Sequence, residues 1–376
     1  MLDKMHHFAG MERILTFKMN DIADHTRHQV YFTTYEQGDV LIPFPLSEKV
    51  VYAPVKAMIA GREHLAFAQW IPAYVRTRKL FKTELENLLD SVNPDILICT
   101  TYSFSVLDLI LLLSEKRGVK TVVESHTKAE TVLLSGKYTY NRFLYPVMRW
   151  WDRFILKRLH RGTCLVALTQ ADAVYWKKYI PRVEIIPNMI TITPSVVSDY
   201  ESKNVISVGR YSYEKGFDRL IEAWNLIACK HPDWKLYIYG NGDRTAFEEL
   251  VERYRLEDSI FCMPATDDIV SKYTQCSIYA MSSRYEGFGL VLTEAMSCGL
   301  PCVSFDCPYG PSEIIDDGKD GYLVENNNVY MFADKISKLM EDSGLRRKLG
   351  SMARQNVVRY NKQNMMARWI TLLETL

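Results

Sequence analysis

The chain has 376 residues, 46 Lys and Arg against 45 Asp and Glu, and 48% hydrophobic positions. That length exceeds what one hydrophobic core ordinarily serves, so two domains are expected. Near-neutral charge argues against nucleic-acid binding, and eight cysteines scattered singly, with no CxxC pair, read as reduced structural residues.

Cut at residue 190, the halves differ in sign. The first carries 25 Lys and Arg against 19 acids and the second 21 against 26, about +6 and −5, which implies different partners for the two domains.

In chain order, MLDKMHHFAGMERILTFKMNDIADH opens without an apolar strand, and its first recognisable features are Gly10 and a helix from about Met11. Strands are expected at DILICT (95–100), VKTVVES (119–125), CLVALT (164–169) and VEIIPN (183–188), with a helix through Lys116 after the first. Strands without polar alternation, separated by amphipathic segments, indicate a parallel sheet covered on both faces, with its ligand cleft at the carboxyl ends of the strands. His126 stands at one such end. The longest apolar run, SVLDLILLL at 105–113, is too short to cross a bilayer and carries Asp108. The stretch KYTYNRFLYPVMRWWDRFILKRLHRG, residues 137–162, interleaves seven aromatics with seven cations and a single acid. It suits peripheral contact with an anionic membrane, and equally a helical hairpin packed on the first domain. TITPSVVSDYESKN, residues 191–204, has no sustained apolar period and is expected as the interdomain linker.

The second half carries the sharper motifs. VISVGRYSYEKGFDRLIEAW reads as a strand at 205–209, a polar turn with Arg210 and Lys215, and an amphipathic helix from about Phe217. Two cations on a glycine-punctuated turn at the end of a buried strand can clamp a diphosphate. Further on, SRYEGFGLVLTEAMSCGLPCVS places Glu286 and Glu294 around a glycine-flanked aromatic and a short helix. Glycines admit close backbone approach and the helix start offers N–H groups to phosphate. DDGKDG, residues 316–321, lacks EF-hand spacing and reads as a surface turn.

These two clusters, with YIYGNGD (237–243) and GPSEIIDDGKDGYLV (310–324), resemble the donor domain of the retaining glycosyltransferases of family 4, from about Asn204 to Asn361. The resemblance implies an α/β fold of GT-B type, two doubly wound Rossmann-like domains facing across a cleft. Residues 1–190 would form the acceptor-side domain, 191–204 the linker and 205–362 the nucleotide-sugar donor domain, with a last helix, 363–376, returning to the first domain. It implies transfer, with retention, from a nucleoside diphosphate sugar to a glycan or polyprenol-linked acceptor in surface polysaccharide synthesis, with UDP the expected nucleotide. By the same resemblance, Glu286 and His126 are catalytic, and Glu286, Gly287 and Phe288 contact the donor sugar. Gly209, Arg210, Lys215, Gly289 and Leu290 hold the diphosphate, Glu294 the ribose, and Gly10 belongs to the acceptor-side loop. The backbone around Cys262–Thr266 would choose the base.

No Asp-x-Asp motif occurs, and the Arg210 and Lys215 clamp supplies the positive charge, so neither metal nor other cofactor is expected. A cytoplasmic protein, peripheral at the membrane face, is the expected setting. The departure from the family lies at the start, where the usual apolar first strand is absent or eroded. A start lying upstream is the favoured account, because a missing central strand would leave unpaired backbone groups beside it. A sugar-nucleotide epimerase of the same architecture and a non-catalytic sugar-nucleotide-binding subunit remain open as alternatives.

Overall fold

Apolar segments at the expected places form parallel sheets in two units, residues 1–187 with 365–376 and residues 188–364. The structure is a computed structural model that describes residues 1–2, 4–6, 10–56, 67–100, 106–126, 144–159 and 162–376. Residues 137–143 and 160–161 of the basic aromatic segment therefore lie outside the described residues.

The first unit runs α1 (Gly10–His25), β1 (Val30–Phe32), β2 (Val50–Tyr52), α2 (Phe67–Val92), β3 (Ile96–Thr100), α3 (Leu107–Arg117), β4 (Lys120–Ser125), α4 (Leu144–Leu159), β5 (Thr163–Ala167), α5 (Gln170–Trp176) and β6 (Val183–Ile185). Strands β3-β4-β5-β6 make one parallel sheet and β1-β2 a separate parallel pair. Ahead of α1 the described residues form no strand. Leu2 makes an isolated parallel bridge to Thr34, its N–H donates to Thr33 O at 3.0 Å, and the Met1 amine donates to Ile98 O at 2.6 Å. Residues 1–2 thus reach both sets of strands, and Leu2 and Met5 are fully buried.

The second unit runs β7 (Asn204–Val208), α6 (Phe217–Ile227), β8 (Lys235–Gly240), α7 (Thr245–Tyr254), β9 (Ile260–Pro264), α8 (Ile269–Thr274), β10 (Ile278–Met281), α9 (Leu290–Ser297), β11 (Cys302–Asp306), α10 (Pro311–Ile314), β12 (Gly321–Glu325), α11 (Val329–Glu341) and α12 (Ser343–Val357). Its six parallel strands lie in the order β12-β11-β10-β7-β8-β9, the doubly wound order that reverses between β7 and β10. Strand residues such as Val205, Ile206, Leu236, Ile238, Ile278, Ala280 and Val303 are wholly buried, as strands covered on both faces must be. The segment 191–204 is held on this unit: Ser198 Oγ donates to Cys276 O at 2.6 Å, and the buried Arg346 donates from Nε to Tyr200 O at 2.9 Å.

The last helix, α13 (Lys362–Thr375), packs from Met365 onward with the first unit. Its Trp369 is buried under the Lys18 ammonium, 4.0 Å from the ring centroid. Trp369→Ala is expected to destabilise the first unit by roughly 3–5 kcal/mol, the cost of removing a large buried aromatic. A urea titration showing an unmoved midpoint would detach α13 from that core.

Candidate active site

The switch point between β7 and β10 decides where the predicted donor residues meet. β7 ends at Val208, and the chain passes Gly209 and Arg210 into a 3-10 turn, Tyr213–Lys215, before α6. Gly216 takes φ +62°, and a Cβ there would lie 2.3 Å from the Ser282 carbonyl oxygen, so glycine lets this loop close on the loop leaving β10. That second loop runs to Gly289, φ +98°, which starts α9 with no side chain capping its first N–H groups. Gly310, φ +111°, admits the Phe288 carbonyl, since a Cβ there would meet that oxygen at 1.8 Å.

Arg284 joins the two loops. Its N–H donates to Glu214 O at 2.7 Å, its Nη1 to Tyr213 O at 2.8 Å, and both guanidinium nitrogens to the Asp218 carboxylate at 2.8 and 2.6 Å. The guanidinium also lies 4.1 Å over the Tyr213 ring. Burial pushes the Asp218 carboxyl up, but Arg284 outweighs it and holds the group below its ordinary value. Because the Asp218 side chain is 45% exposed, the pair contributes at most about 1 kcal/mol, and its main effect is to fix loop geometry. Beneath it, Ser282 Oγ donates to Lys215 O at 2.9 Å, and buried Arg219 donates to Ser282 O and to Asn326 Oδ1, the latter at 3.0 Å.

On this scaffold Lys215 Nζ lies 2.8 and 3.1 Å from the two carboxylate oxygens of Glu286, and Ser283 Oγ donates to Glu286 Oε1 at 2.6 Å. The cation expected at the diphosphate and the carboxylate expected at the sugar are one ion pair. The Lys215 stem lies across Gly209, and Arg210 is exposed on the same loop. Glu294, within α9, is buried and accepts from the Tyr273 hydroxyl at 3.4 Å. The Phe288 ring is buried edge-on against Tyr360, so this segment offers backbone rather than the ring. At Cys262–Thr266, Arg244 Nη1 donates to Cys262 O and the Tyr211 hydroxyl to Met263 O, both at 3.0 Å.

In the first unit His126 follows β4 with its Nε2 3.1 Å from Glu124 Oε2, and Lys18 on α1 donates to Glu124 Oε1. All three side chains are buried. Burial alone would push the Glu124 carboxyl up, but the Lys18 charge and the His126 hydrogen bond pull it down to about 2. An ionised carboxylate only accepts, so the ring nitrogen facing Glu124 carries a proton. Gly10 opens the helix that carries Lys18, so α1 is tied through Glu124 to His126. Sequence reading had not singled out Lys18, Glu124, Arg219, Ser283 or Arg284. Glu124 was accessible to it, because residues two apart on a strand share a face.

Comparison with known proteins agrees with both halves. Residues 190–356 match the family model described as glycosyl transferases group 1, and residues 25–193 the model described as glycosyltransferase family 4. An uncharacterized glycosyltransferase of Haemophilus influenzae is 28% identical over 77% of this chain and 79% of its own length. The amylovoran biosynthesis glycosyltransferase AmsD of Erwinia amylovora is 34% identical over 46% of this chain, and the match spans 48% of that protein. Among solved structures, Staphylococcus aureus TarM, crystallised with UDP and α-GlcNAc-glycerol, superimposes with TM-score 0.65 at 25% identity, covering 78% of this chain and 58% of TarM. Sucrose-phosphate synthase of Thermosynechococcus elongatus shares the fold across 98% of this chain and 93% of its own, with TM-score 0.79 at 18% identity.

The lowered Glu124 pKa gives a signed expectation. Its contribution to stability is present above the ordinary value of 4.5 and is lost as pH falls toward about 2. Glu124→Gln is expected to lower the urea midpoint at neutral pH, by leaving Lys18 buried without its anion, and to flatten the midpoint's fall between pH 5 and 2. An equally steep acid slope in the variant would remove Glu124 as its source. For the donor loops, Arg284→Ala is expected to weaken UDP binding in calorimetry while Arg284→Lys recovers only part, since a lysine cannot form the paired contact to Asp218; equal affinity in all three proteins would leave Arg284 without a role there.

Proposed function

Because this chain belongs to the group 1 glycosyl transferases, with a family 4 first domain and the GT-B fold, we propose that it transfers a sugar, with retention, from a UDP-sugar to a hydroxyl of a glycan or polyprenol-linked acceptor in surface polysaccharide synthesis. The observation that carries the reading is the Lys215–Glu286 ion pair at the strand-order reversal, with Arg210 exposed on the Lys215 loop and the uncapped start of α9 following the Glu286 loop. Two relatives support it by their names, poly(ribitol-phosphate) α-N-acetylglucosaminyltransferase of Staphylococcus aureus and poly(glycerol-phosphate) α-glucosyltransferase of Bacillus subtilis, both sugar transferases named for a polyol-phosphate polymer. This chain spans 46% and 26% of their lengths.

In the proposed reaction Arg210, Lys215 and the α9 N–H groups take the diphosphate, and Glu294 accepts from the ribose hydroxyls. The bond between the anomeric carbon and the phosphate oxygen breaks as the acceptor oxygen bonds to the same face of that carbon, and the acceptor proton passes to the departing phosphate. Glu286 holds a sugar hydroxyl and balances oxocarbenium-like charge, while the cations stabilise negative charge growing on the leaving group. His126 keeps the catalytic role that the family resemblance gives it, with one ring nitrogen committed to Glu124. The cations serve in place of a divalent metal, and the reaction proceeds at the cytoplasmic membrane face.

Glu286→Ala is expected to abolish transfer while UDP still binds, and retained turnover would remove Glu286 from the chemistry. Glu294→Ala is expected to weaken UDP by roughly 1–3 kcal/mol, the cost of losing hydrogen bonds to a charged group, which calorimetry reads directly. Turnover with UDP-sugar should persist in excess EDTA; its loss, restored by magnesium, would overturn the metal-independent reading.

A further inference from the structure

The described parts of α2 and α4 carry a face that the donor chemistry does not use. On α4 the exposed positions are Pro146, Arg149, Trp150, Arg153 and Lys157, one stripe of the helix, while its one acid, Asp152, is buried. Trp150 is 63% exposed although it lies beside Trp151 and stacks on Phe154. On α2 the exposed positions between residues 75 and 80 are Val75, Arg76, Lys79 and Leu80, with Val75 60% and Leu80 48% exposed. The acids of α2, Glu84, Glu86 and Asp90, all fall in its second half.

The two stripes adjoin. Arg78 and Trp151, both half-buried at the margins of their stripes, meet with the guanidinium 5.8 Å from the ring centroid. Arg78 is in turn fixed by Asp108 of α3 at 2.6 Å, and Phe81, Leu85, Ile155 and Leu159 on the inner sides of the two helices share one core. The result is a surface of cations around three exposed apolar side chains. A tryptophan with an apolar body and a polar edge settles at a headgroup boundary, guanidinium groups pair with lipid phosphates, and leaving large apolar side chains in water gains nothing.

We propose that the α2–α4 face is a docking surface for an anionic lipid bilayer, with Trp150, Val75 and Leu80 entering the headgroup layer and Arg76, Lys79, Arg149, Arg153 and Lys157 on the phosphates. This deepens the reading of a polyprenol-linked acceptor and rests on that reading only for the purpose of docking, because lipid binding is measured without any transfer. An acidic protein partner is disfavoured by the apolar residues set among the cations, which a bilayer accommodates without a matching pocket.

The test is co-sedimentation of the full chain with vesicles of phosphatidylcholine alone and with added phosphatidylglycerol, across a salt series. Binding is expected to phosphatidylglycerol vesicles only and to fall as salt rises. Arg149→Gln with Arg153→Gln should lower the partition coefficient about 25-fold, from roughly fivefold per cation removed. Trp150→Ala should weaken it further while thermal stabilisation by UDP stays unchanged, which shows that the variants fold. Absence of binding to the anionic vesicles, equal binding to neutral ones, or full binding by the charge variants would each overturn the proposal. Transfer to a soluble acceptor is assayed separately, so loss of activity and loss of lipid binding are distinguishable.

Discussion

The reversal of strand order between β7 and β10 is the constraint on which the donor site depends. Parallel strands on either side of that reversal send their outgoing loops apart, and a crevice opens at their carboxyl ends. Such loops have no ladder to hold them, so other contacts must. Here Arg284, Arg219 and Ser282 supply them by binding main-chain carbonyls of the opposite loop. The glycines at 216 and 310 let the backbones come close enough for those bonds. Side chains with chemistry to perform are thereby placed by neighbours that have none.

The first unit solves a different problem. A carboxylate at the end of a buried strand is costly unless paired, and Glu124 is paired on both oxygens, by Lys18 and by His126. The Lys18 ammonium is itself pushed down by burial against the pull of Glu124, and its remaining face is covered by the Trp369 ring. Removing Lys18 or Glu124 leaves the other as a buried charge without its partner, so the array holds α1, the end of β4 and α13 in one arrangement. His126 is oriented as a consequence, with one ring nitrogen committed to Glu124.

Period and punctuation in the sequence were enough to locate β3 to β7, because apolar runs such as ILIC and the VV of β4 suit a strand covered on both faces, whereas the three-residue strands β1 and β2 are too short to leave such a pattern. The loop residues Arg210, Lys215 and Glu286 were legible for a related reason: charged groups next to glycines at strand ends have few structural uses. What could not be read was the pairing between them. Lys215 and Glu286 are 71 positions apart, Arg284 and Asp218 66, and Lys18 and Glu124 106. Such contacts are fixed by the winding of the chain, which leaves no local periodic trace. The packing of residues 191–204 on the second unit escaped for the opposite reason, since Ser198 and Tyr200 carry it through main-chain and hydroxyl contacts that composition does not reveal.

The Lys215–Glu286 pair gives the proposed transfer its electrostatic logic. Within the pair, each charge is largely neutralised, and Ser283 satisfies one carboxylate oxygen. A diphosphate carries more negative charge than a carboxylate and would draw the Lys215 ammonium toward itself, on a flexible stem that already lies across Gly209 at the end of β7. Glu286 would then keep its Ser283 hydrogen bond but lose its cation at the moment a sugar stands beside it. A carboxylate so uncovered favours positive charge on the anomeric carbon, while the displaced lysine favours negative charge on the leaving phosphate. In the proposed transfer the two ends of the breaking bond would thus be stabilised by the separation of one preformed pair, which would couple donor binding to the chemistry it prepares.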